Sequence, residues 1–177
     1  MNYELNIDLQ NQIKQLNYSF SKATLDDLDN LLELYKERTS WFKEHKIKQW
    51  SKYLEHHPRE EFEKIINTGY YFVIKENGNI ISGFELSTDS KYWRDDFTDA
   101  YYIYKLVTKV KYKNVGNIVM KICENIAINN NKRKLRLDCL KNNEKLNNIY
   151  ENYGFKLIKT GYEYSYSYSL REYNIDN

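Results

Sequence analysis

The sequence predicts an α+β fold of three layers, α/β/α, in which helices flank a mixed, mostly antiparallel sheet of about seven strands. Strand-like and helix-like segments alternate along the chain in the order β-α-α-β-β-β-α-β-α-β-β. The dipeptide Asn77-Gly78 separates two strand-like runs and marks a tight hairpin, because both turn positions need a positive φ. The chain is 41% hydrophobic and contains one Pro, so a packed core is expected.

A length of 177 residues suits a single domain over residues 1–177. It begins with an extension, residues 1–16, in which residues 6–16 fit a short amphipathic helix. Tyr18–Lys22 alternates in the manner of a strand. Thr24 is a natural N-cap, and the apolar residues at helical spacing over residues 25–35 predict the first main helix.

The middle of the chain predicts a helix followed by the hairpin. Residues 41–53 are aromatic and irregular in pattern. Pro58 is expected to open a helix over residues 59–66, because Pro is favoured at helix starts. Residues 70–74 and 80–87 are then the two strands that flank the hairpin turn.

The second half continues with alternating strands and helices. Residues 101–108 read as a strand, and residues 116–128 carry apolar side chains at helical spacing. A strand at residues 135–139 precedes a helix at residues 143–153. Residues 155–158 form another strand, after a Gly that suits a helix C-cap.

The C-terminal segment 162–173 alternates Tyr with polar residues and predicts a Tyr-rich strand. Tyr162, Tyr164, Tyr166 and Tyr168 would share one face of it. We expect a half-buried strand, with a homodimer surface as the alternative interpretation.

Charge and composition argue against several classes of function. The 27 basic and 25 acidic residues give a net charge of +2, which is unlike a dedicated nucleic-acid binder. No signal-peptide pattern or apolar run of roughly 20 residues appears, so we expect a cytoplasmic protein with no membrane partner. Cys123, Cys139 and the three histidines show no metal-ligand spacing, so no metal is expected.

The most specific motif is NEKLNNIYENYGF, residues 143–155, which follows the strand-like residues 135–139. It resembles the C-terminal signature of the GNAT acetyltransferase superfamily, N-x-x-L-x-x-x-Y-E-x-x-G-F. The resemblance covers most of the chain and implies the acyl-CoA N-acyltransferase fold with acetyl-CoA as co-substrate. It also implies that Asn143 helps to hold the coenzyme and that Tyr150 protonates the departing thiolate.

The family holds the coenzyme pyrophosphate with R/Q-x-x-G-x-G/A at a helix N-terminus, where free N–H groups and the helix dipole favour negative charge. This chain can be matched to the pattern in two ways. One places Lys113 at the R/Q position and Gly116 at the first Gly, which leaves an isoleucine where Gly or Ala belongs. The other, which we prefer, makes Gly116 the last Gly and Asn114 the first, with Lys111 at the R/Q position and a shortened loop.

The preferred register keeps an apolar face on the following helix, formed by Ile118, Val119, Ile122 and Ile126. In the family, the strand that matches residues 104–108 pairs its backbone with the pantetheine arm and turns one amide toward the thioester oxygen. The predicted coenzyme contacts are therefore Leu106, Val107, Thr108, Lys111, Lys113, Asn114, Val115, Gly116, Asn117 and Asn143.

The predicted catalytic residues are Tyr150 and Glu85. A phenol has a pKa near 10 and a thiol near 8.5, so full proton transfer from Tyr150 is uphill by roughly 2 kcal/mol and hydrogen bonding to the developing charge is an alternative role. A ring that only packs on the sheet is the structural alternative. Glu85 is the first candidate for the base that takes a proton from the amine, directly or through water. A solvent-facing role for Glu85 stays open, and Asp99, Asp138 and Tyr104 are alternative bases.

The acceptor site is predicted from two aromatic segments. WFKEHKIKQW, residues 41–50, resembles the W-x-K-x-x-x-x-Q-W stretch of one bacterial branch of the family, and the resemblance continues at residues 92–96. Aromatic side chains can line a pocket, and acids near them would attract a cationic amine. Packing between helices and sheet is the alternative. The predicted pocket residues are Trp41, Trp50, Trp93 and Tyr104.

These observations together predict an N-acetyltransferase that moves an acetyl group from acetyl-CoA to a primary amine of a small molecule. Direct attack in a ternary complex is expected, because no nucleophile for a covalent acyl-enzyme is visible. The alternative, motivated by the altered phosphate loop, is a catalytically degenerate module that keeps the fold for binding or regulation.

Overall fold

The computed structural model describes residues 1–93, 98–163 and 166–175. Two parts of the sequence predictions lie outside these residues. One is the set of acids within residues 94–97, beside Trp93, and the other is Tyr164 of the predicted C-terminal strand.

Seven strands form one mixed sheet in the order β1-β2-β3-β4-β5-β7-β6. Strands β4 and β5 pair in parallel, whereas the pairs β1–β2, β2–β3, β5–β7 and β6–β7 are antiparallel. The predicted mixed, mostly antiparallel sheet is therefore confirmed. The strands are β1 Tyr18–Lys22, β2 Tyr71–Glu76, β3 Asn79–Ser87, β4 Ala100–Thr108, β5 Lys134–Leu140, β6 Lys156–Glu163 and β7 Tyr166–Asn174.

Helices flank the sheet, and a single 3₁₀ turn, Leu25–Asp27, precedes the second of them. The helices are α1 Ile7–Gln15, α2 Leu28–Glu44, α3 Tyr53–His56, α4 Arg59–Thr68, α5 Val115–Asn129 and α6 Glu144–Tyr153. Each predicted helix is present, and the α+β fold is confirmed.

The chain divides into two compact units. The first unit contains Met1–Leu5, Ser87–Tyr104 and Met120–Asn177, and the second contains Asn6–Leu86 and Lys105–Val119. Strand β4 and helix α5 each contribute residues to both units.

Local sequence signals explain several element boundaries. The Asp27 carboxylate accepts hydrogen bonds from the Thr24 backbone N–H (3.0 Å) and hydroxyl (3.3 Å), which fixes the start of the first main helix. Asn77 and Gly78 have φ values of 48° and 81°, as the two-residue hairpin between β2 and β3 requires. Gly154 ends α6 in the left-handed conformation, with φ 117°.

The second unit has an apolar core between its helices and its strands. Gly83 is needed there by close approach, because a Cβ at this position would lie 2.7 Å from Cδ2 of Leu31. The core buries aromatic and aliphatic side chains together: Leu28, Leu31, Tyr35, Tyr53, Phe62, Ile66, Tyr71, Val73 and Val107.

The first unit buries a charged pair within its strands. Arg136 on β5 is fully buried, and its guanidinium lies 2.8 Å from the carboxylate of Glu172 on β7. The same guanidinium donates to the hydroxyl of Tyr102 (3.2 Å). A buried charge is tolerated when it is paired and hydrogen-bonded in this way.

Two sequence predictions were wrong in their element boundaries. Helix α2 continues to Glu44, so Trp41 is helical, because residues 36–44 include several good helix formers. The segment 162–173 is divided between the end of β6 and most of β7. The alternation with a period of two runs through the end of β6 and the start of β7, and no Gly, Pro or Asn interrupts the sequence from Tyr162 to Tyr173, so one strand was predicted where there are two.

Candidate active site

Strand β4 contains a left-handed residue at its centre. Lys105 has φ 50°, a conformation that L-residues other than Gly adopt rarely. Its backbone carbonyl accepts a hydrogen bond from the hydroxyl of Tyr35 and a longer one (3.5 Å) from Tyr71. Both tyrosines are fully buried, so the unusual backbone is held by the core of the second unit.

The end of β4, where Leu106, Val107 and Thr108 were predicted to contact the coenzyme, is held by side chains of the same unit. Arg38 on α2 donates to the carbonyl (2.9 Å) and hydroxyl (2.9 Å) of Thr108. Ser82 on β3 donates to the carbonyl of Val107 (2.9 Å). These bonds hold the backbone at the end of β4, the part of the strand that is predicted to contact the pantetheine arm.

Glu85, the predicted base, lies in a cluster of charged side chains. The Lys105 ammonium is 3.0 Å from the Glu61 carboxylate and 3.5 Å from that of Glu85. Nδ1 of His57 lies 2.9 Å from Glu61. Burial raises the pKa of Glu85 and the negative charge of Glu61 adds to this, while Lys105 opposes it. The side chain of Glu85 is 15% exposed, so it is not the solvent-facing strand residue of the alternative interpretation.

The two partners of Glu61 set its charge state. Burial opposes ionisation, but hydrogen bonds and charge from Lys105 and His57 give a lowered pKa for Glu61. Burial lowers the pKa of His57, so its ring is neutral at pH 7 and can donate from Nδ1. Glu61 is therefore a carboxylate that already accepts two hydrogen bonds.

Trp41 and Trp50, predicted to line the acceptor pocket, both pack against the ring of Phe42. Phe42 lies 5.7 Å from Trp41 and 5.8 Å from Trp50, measured between ring centroids. Trp50 also packs on Tyr53 (4.6 Å). Both tryptophans are half-buried, so each could present an edge to a ligand while packing within the second unit.

The loop between β4 and α5 contains the residues of the preferred phosphate-loop register. Asn114 has φ 65°, the left-handed conformation expected of a Gly position. The backbone N–H groups of Val115 and Gly116, in the first turn of α5, donate no hydrogen bond to any described residue. Gly116 has an ordinary φ, and a Cβ there would meet nothing within 4 Å.

Exposure of this loop also fits an anion site. Lys111, Lys113, Asn114 and Asn117 are exposed. The apolar face expected on α5 is present, because Ile118, Val119, Ile122 and Ile126 are all buried. Isoleucine at position 118 is therefore a core residue, which favours the register with Gly116 as the last Gly.

Tyr150, the predicted acid, lies on α6 in the first unit. Its side chain is buried (8% exposed), and its ring meets Phe155 edge-on at 5.8 Å. The hydroxyl makes no hydrogen bond to a residue within the ranges 1–93, 98–163 and 166–175. Burial raises the pKa of Tyr150, so the phenol keeps its proton at neutral pH.

Asn143 caps the same helix. Its side-chain oxygen accepts a hydrogen bond from the N–H of Leu146 (3.1 Å), as expected of an N-cap residue. The capping role is thus confirmed, while its predicted contact with the coenzyme stays a prediction.

Asn147, which the sequence reasoning missed, ties α6 to its surroundings. It is buried and donates to the carbonyls of Leu140 (3.0 Å) and Asn143 (2.9 Å). Its side-chain oxygen accepts from Nε of Arg171 (3.1 Å). The sequence signal that could have identified Asn147 is a polar residue on the apolar face of an amphipathic helix.

The remaining predicted residues lie in the first unit. Trp93 stacks on the buried guanidinium of Arg136 at 4.1 Å, and Tyr104 donates a hydrogen bond to the hydroxyl of Ser90. Of the alternative bases, Asp99 is exposed and pairs with Lys132. Burial raises the pKa of Asp138, which accepts a hydrogen bond from Tyr166 (3.2 Å).

A family model for the acetyltransferase (GNAT) family matches residues 28–155 of this chain. The chain belongs to the GNAT acetyltransferase family. The matched residues include Glu85, the loop before α5 and the helix that carries Tyr150. A search of curated proteins finds no sequence match.

Solved GNAT structures share the fold at low sequence identity. A GNAT acetyltransferase from Listeria monocytogenes is 20% identical over 89% of this chain and 94% of its own, with a TM-score of 0.73. One from Streptococcus agalactiae is 12% identical over 99% of both chains, with a TM-score of 0.74. PaiA N-acetyltransferase from Thermoplasma acidophilum, solved with coenzyme A, is 18% identical over 89% of this chain and 98% of its own, with a TM-score of 0.68.

Within the ranges 1–93, 98–163 and 166–175, no helix combines the length and apolar character needed to cross a membrane. The same ranges contain no group of three or more His, Cys, Asp or Glu arranged to hold a metal ion.

Proposed function

We propose that this GNAT protein transfers the acetyl group of acetyl-CoA to a primary amine of a small molecule, by direct attack in a ternary complex. The observation that carries the proposal is the hydroxyl of Tyr150: its side chain is buried on the signature helix, and the hydroxyl makes no hydrogen bond to a described residue. A polar group on a buried side chain normally finds a partner, and a departing thiolate is a partner that a phenol donor suits.

The amine must lose a proton before it attacks, and Glu85 is the proposed acceptor of that proton. The raised pKa of Glu85 supports this role, because a base works best when its pKa approaches the working pH. The amine nitrogen then forms a bond to the thioester carbonyl carbon, and the carbon–sulfur bond breaks. Tyr150 donates its proton to the sulfur, and the second proton lost from nitrogen returns through solvent to restore the Tyr150 phenol.

Direct attack is favoured over a covalent acyl-enzyme by the state of the cysteines. Cys123 and Cys139 are both buried. Burial raises the pKa of Cys139 to about 11, so its thiolate is scarce at neutral pH. The acyl group is therefore proposed to pass straight from coenzyme to amine.

The loop before α5 is the proposed site of the coenzyme pyrophosphate. The N–H groups of Val115 and Gly116, which donate to no described residue, begin a helix of about four turns, and such a terminus attracts anions. Lys111 and Lys113 are exposed beside it and could add positive charge. Space next to Gly116 supports close approach of a phosphate.

The test is titration of the purified protein with acetyl-CoA, followed by calorimetry, and then an amine screen with detection of the released thiol. Saturable micromolar binding together with turnover on at least one aliphatic amine is the expected result. Binding without turnover on any amine would overturn the transferase proposal and favour the second candidate.

The second candidate is a catalytically degenerate module that binds or regulates. The observation in its favour is the ion pair between Glu85 and Lys105, which occupies the proposed base with a cation of the chain itself. No binding at millimolar acetyl-CoA would favour this candidate over the enzyme.

A further inference from the structure

The Lys105 side chain places an alkylammonium between two carboxylates. Its Nζ lies 3.0 Å from Glu61 and 3.5 Å from Glu85, and the lysine side chain is only 14% exposed. Two half-buried carboxylates around one nitrogen form the arrangement that charge-assisted hydrogen bonding to a primary ammonium requires. A primary ammonium has three N–H donors, so two carboxylates leave one donor for another acceptor.

A third polar group beside these carboxylates has no partner. The hydroxyl of Tyr53 is buried within a side chain that is 9% exposed, and it makes no hydrogen bond with a described residue. After burial and Tyr71, the charges of Glu61 and Glu85 contribute to the raised pKa of this phenol, so its hydroxyl lies within electrostatic range of the two carboxylates. A buried hydroxyl without a partner costs about 1–3 kcal/mol, so an acceptor-bound state that satisfies it would be favoured.

The surroundings of the three groups suit an aliphatic chain. Tyr53 stacks on Tyr35 (5.0 Å between centroids, 18° between planes) and lies 4.6 Å from Trp50. Aromatic faces bind the methylene groups of an amine and favour its positive charge. His57, which lies 2.9 Å from Glu61 and 4.5 Å from the Tyr53 ring between centroids, is neutral at pH 7 and does not repel a cation.

We propose that Glu61, Glu85 and the Tyr53 hydroxyl form the binding site for the reactive ammonium of the acceptor, and that Lys105 occupies this site until an acceptor displaces it. The proposal rests on the proposed function, because the bound amine is an acetyl acceptor only if the protein is a transferase. The substrate class that it names is an unbranched aliphatic primary amine, R–CH₂–NH₃⁺. Lysine's own butylammonium group is the stand-in that shows which ligand end fits. An aromatic amine is neutral at pH 7 and lacks the charge, and an alcohol lacks both the charge and the three donors.

The experiment removes the Lys105 side chain by mutation and supplies its butylammonium group as a free ligand. Lys105→Ala opens the space that the butylammonium group fills, and the probe is n-butylammonium chloride, without coenzyme, in a thermal shift and calorimetric titration. We expect Lys105→Ala to bind n-butylammonium at least tenfold more tightly than the wild type, with a concentration-dependent rise in Tm. n-Butanol at the same concentrations is expected to give no shift.

Lys105→Met is the matched control, because methionine fills a similar volume without a charge. It is expected to bind n-butylammonium no better than the wild type. Glu61→Gln in the Lys105→Ala background should remove the binding. Equal affinity of Lys105→Ala and Lys105→Met for n-butylammonium, or an equal response to n-butanol, would overturn the proposal.

A second measurement covers the case in which Lys105→Ala does not fold. In the otherwise unchanged protein, Glu61→Gln should raise the KM for n-alkylamines at least tenfold while the Kd for acetyl-CoA stays within twofold. An unchanged KM would overturn the ammonium site and leave the proposed transferase intact. Conversely, n-butylammonium binding to Lys105→Ala in a protein that acetylates no amine would refute the transferase and keep the ammonium site.

Discussion

The hydroxyl of Tyr35 on α2 donates a hydrogen bond to the backbone carbonyl of Lys105, the left-handed residue in β4. The bond ties a fully buried core residue to the backbone whose side chain reaches Glu61 and Glu85. A left-handed conformation costs an L-residue about 1–2 kcal/mol, so it persists where surrounding bonds hold it. The core of the second unit thus positions the ammonium of Lys105.

Tyr35→Phe should therefore destabilise the protein through the backbone of β4. The substitution leaves the Lys105 carbonyl with only its longer hydrogen bond, and it removes the nearer of two partners of the Tyr71 hydroxyl, which lies 2.8 Å from Tyr35. We expect the free energy of unfolding to fall by about 1–3 kcal/mol, the usual effect of leaving a buried polar group unpaired. Urea denaturation with an unchanged m-value is the measurement.

Tyr70→Phe is the control for this prediction. Tyr70 neighbours Tyr71 in sequence, but its hydroxyl has no hydrogen bond to a described residue. Its removal should change the free energy of unfolding by less than about 0.5 kcal/mol, as for surface substitutions. Equal losses for the two variants would show that the Lys105 carbonyl does not depend on Tyr35.

Tyr150→Phe should lower kcat much more than it weakens acetyl-CoA binding. The buried phenol has no other described partner, so its hydroxyl is available to the leaving sulfur. Loss of one such donor lowers kcat by roughly 100-fold or more. Steady-state kinetics and a calorimetric Kd for acetyl-CoA check it, and parallel losses in kcat and in affinity would contradict the acid role.

The fold could be predicted largely from the sequence because each element carries a local signal. Helix α4 follows Pro58, the hairpin is marked by Asn77-Gly78, and α6 lies between Asn143 and Gly154. The end of α2 and the division between β6 and β7 were predicted wrongly, because neither place carries a Gly or Pro that would mark it. Where no capping or turn residue marks the end of an element, tertiary packing determines where the element ends.

The candidate site was predicted only in part, because its parts meet through long-range contacts. Glu85 was identified from its place on a strand, whereas Glu61 and Tyr53 lie on other elements and carry no motif. Lys105 had one signal, a charged residue inside an apolar strand, but the positive φ that accompanies it follows from packing around Tyr35. Contacts between residues that lie far apart in the sequence cannot be predicted from residue spacing alone.

Asn147→Ala should destabilise the first unit strongly. The buried amide of Asn147 bonds to the carbonyls of Leu140 and Asn143 and to the guanidinium of Arg171. Its removal leaves several buried groups unpaired, so we expect a loss of about 2–3 kcal/mol in the free energy of unfolding. Asn148→Ala, at the exposed neighbouring position, is the control, and a similar loss there would indicate a general helix effect.

Gly116→Glu should abolish acetyl-CoA binding without unfolding the protein. A side chain at position 116 meets no atom within 4 Å of its Cβ, and the backbone conformation there is ordinary. The added carboxylate would instead stand in the proposed phosphate site and repel it. Calorimetry should show at least a 100-fold loss in affinity with Tm within a few degrees of wild type.

Gly116→Ala separates charge from volume at this position. A methyl group should reduce acetyl-CoA affinity far less than the carboxylate does, because it adds no repulsion. Retained tight binding by Gly116→Glu would place the pyrophosphate elsewhere and would refute the register that makes Gly116 the last Gly of the loop.

The acidic limb of kcat/KM should follow the ionisation of Glu85. Burial raises its pKa above the ordinary value of 4.5, and the charge of Glu61 adds to this while the Lys105 ammonium opposes it. The base must be deprotonated, so activity should rise with pH through a midpoint above 4.5. The effect on stability has the opposite sign: the folded state binds this proton more tightly, so the contribution of Glu85 to stability is fully present below about 4.5 and falls as pH rises through its folded pKa.

Two substitutions should move that limb in opposite directions. Lys105→Met removes the opposing cation and should shift the midpoint to higher pH, whereas Glu61→Gln removes the like charge and should shift it to lower pH. The other titratable groups in contact with this cluster are the Tyr53 and Tyr71 phenols and His57, whose ring contacts Glu61. Rate profiles from pH 4 to 9 for the three proteins test the assignment. Shifts of the same sign, or a limb that stays fixed in both variants, would mean that a group other than Glu85 takes the proton.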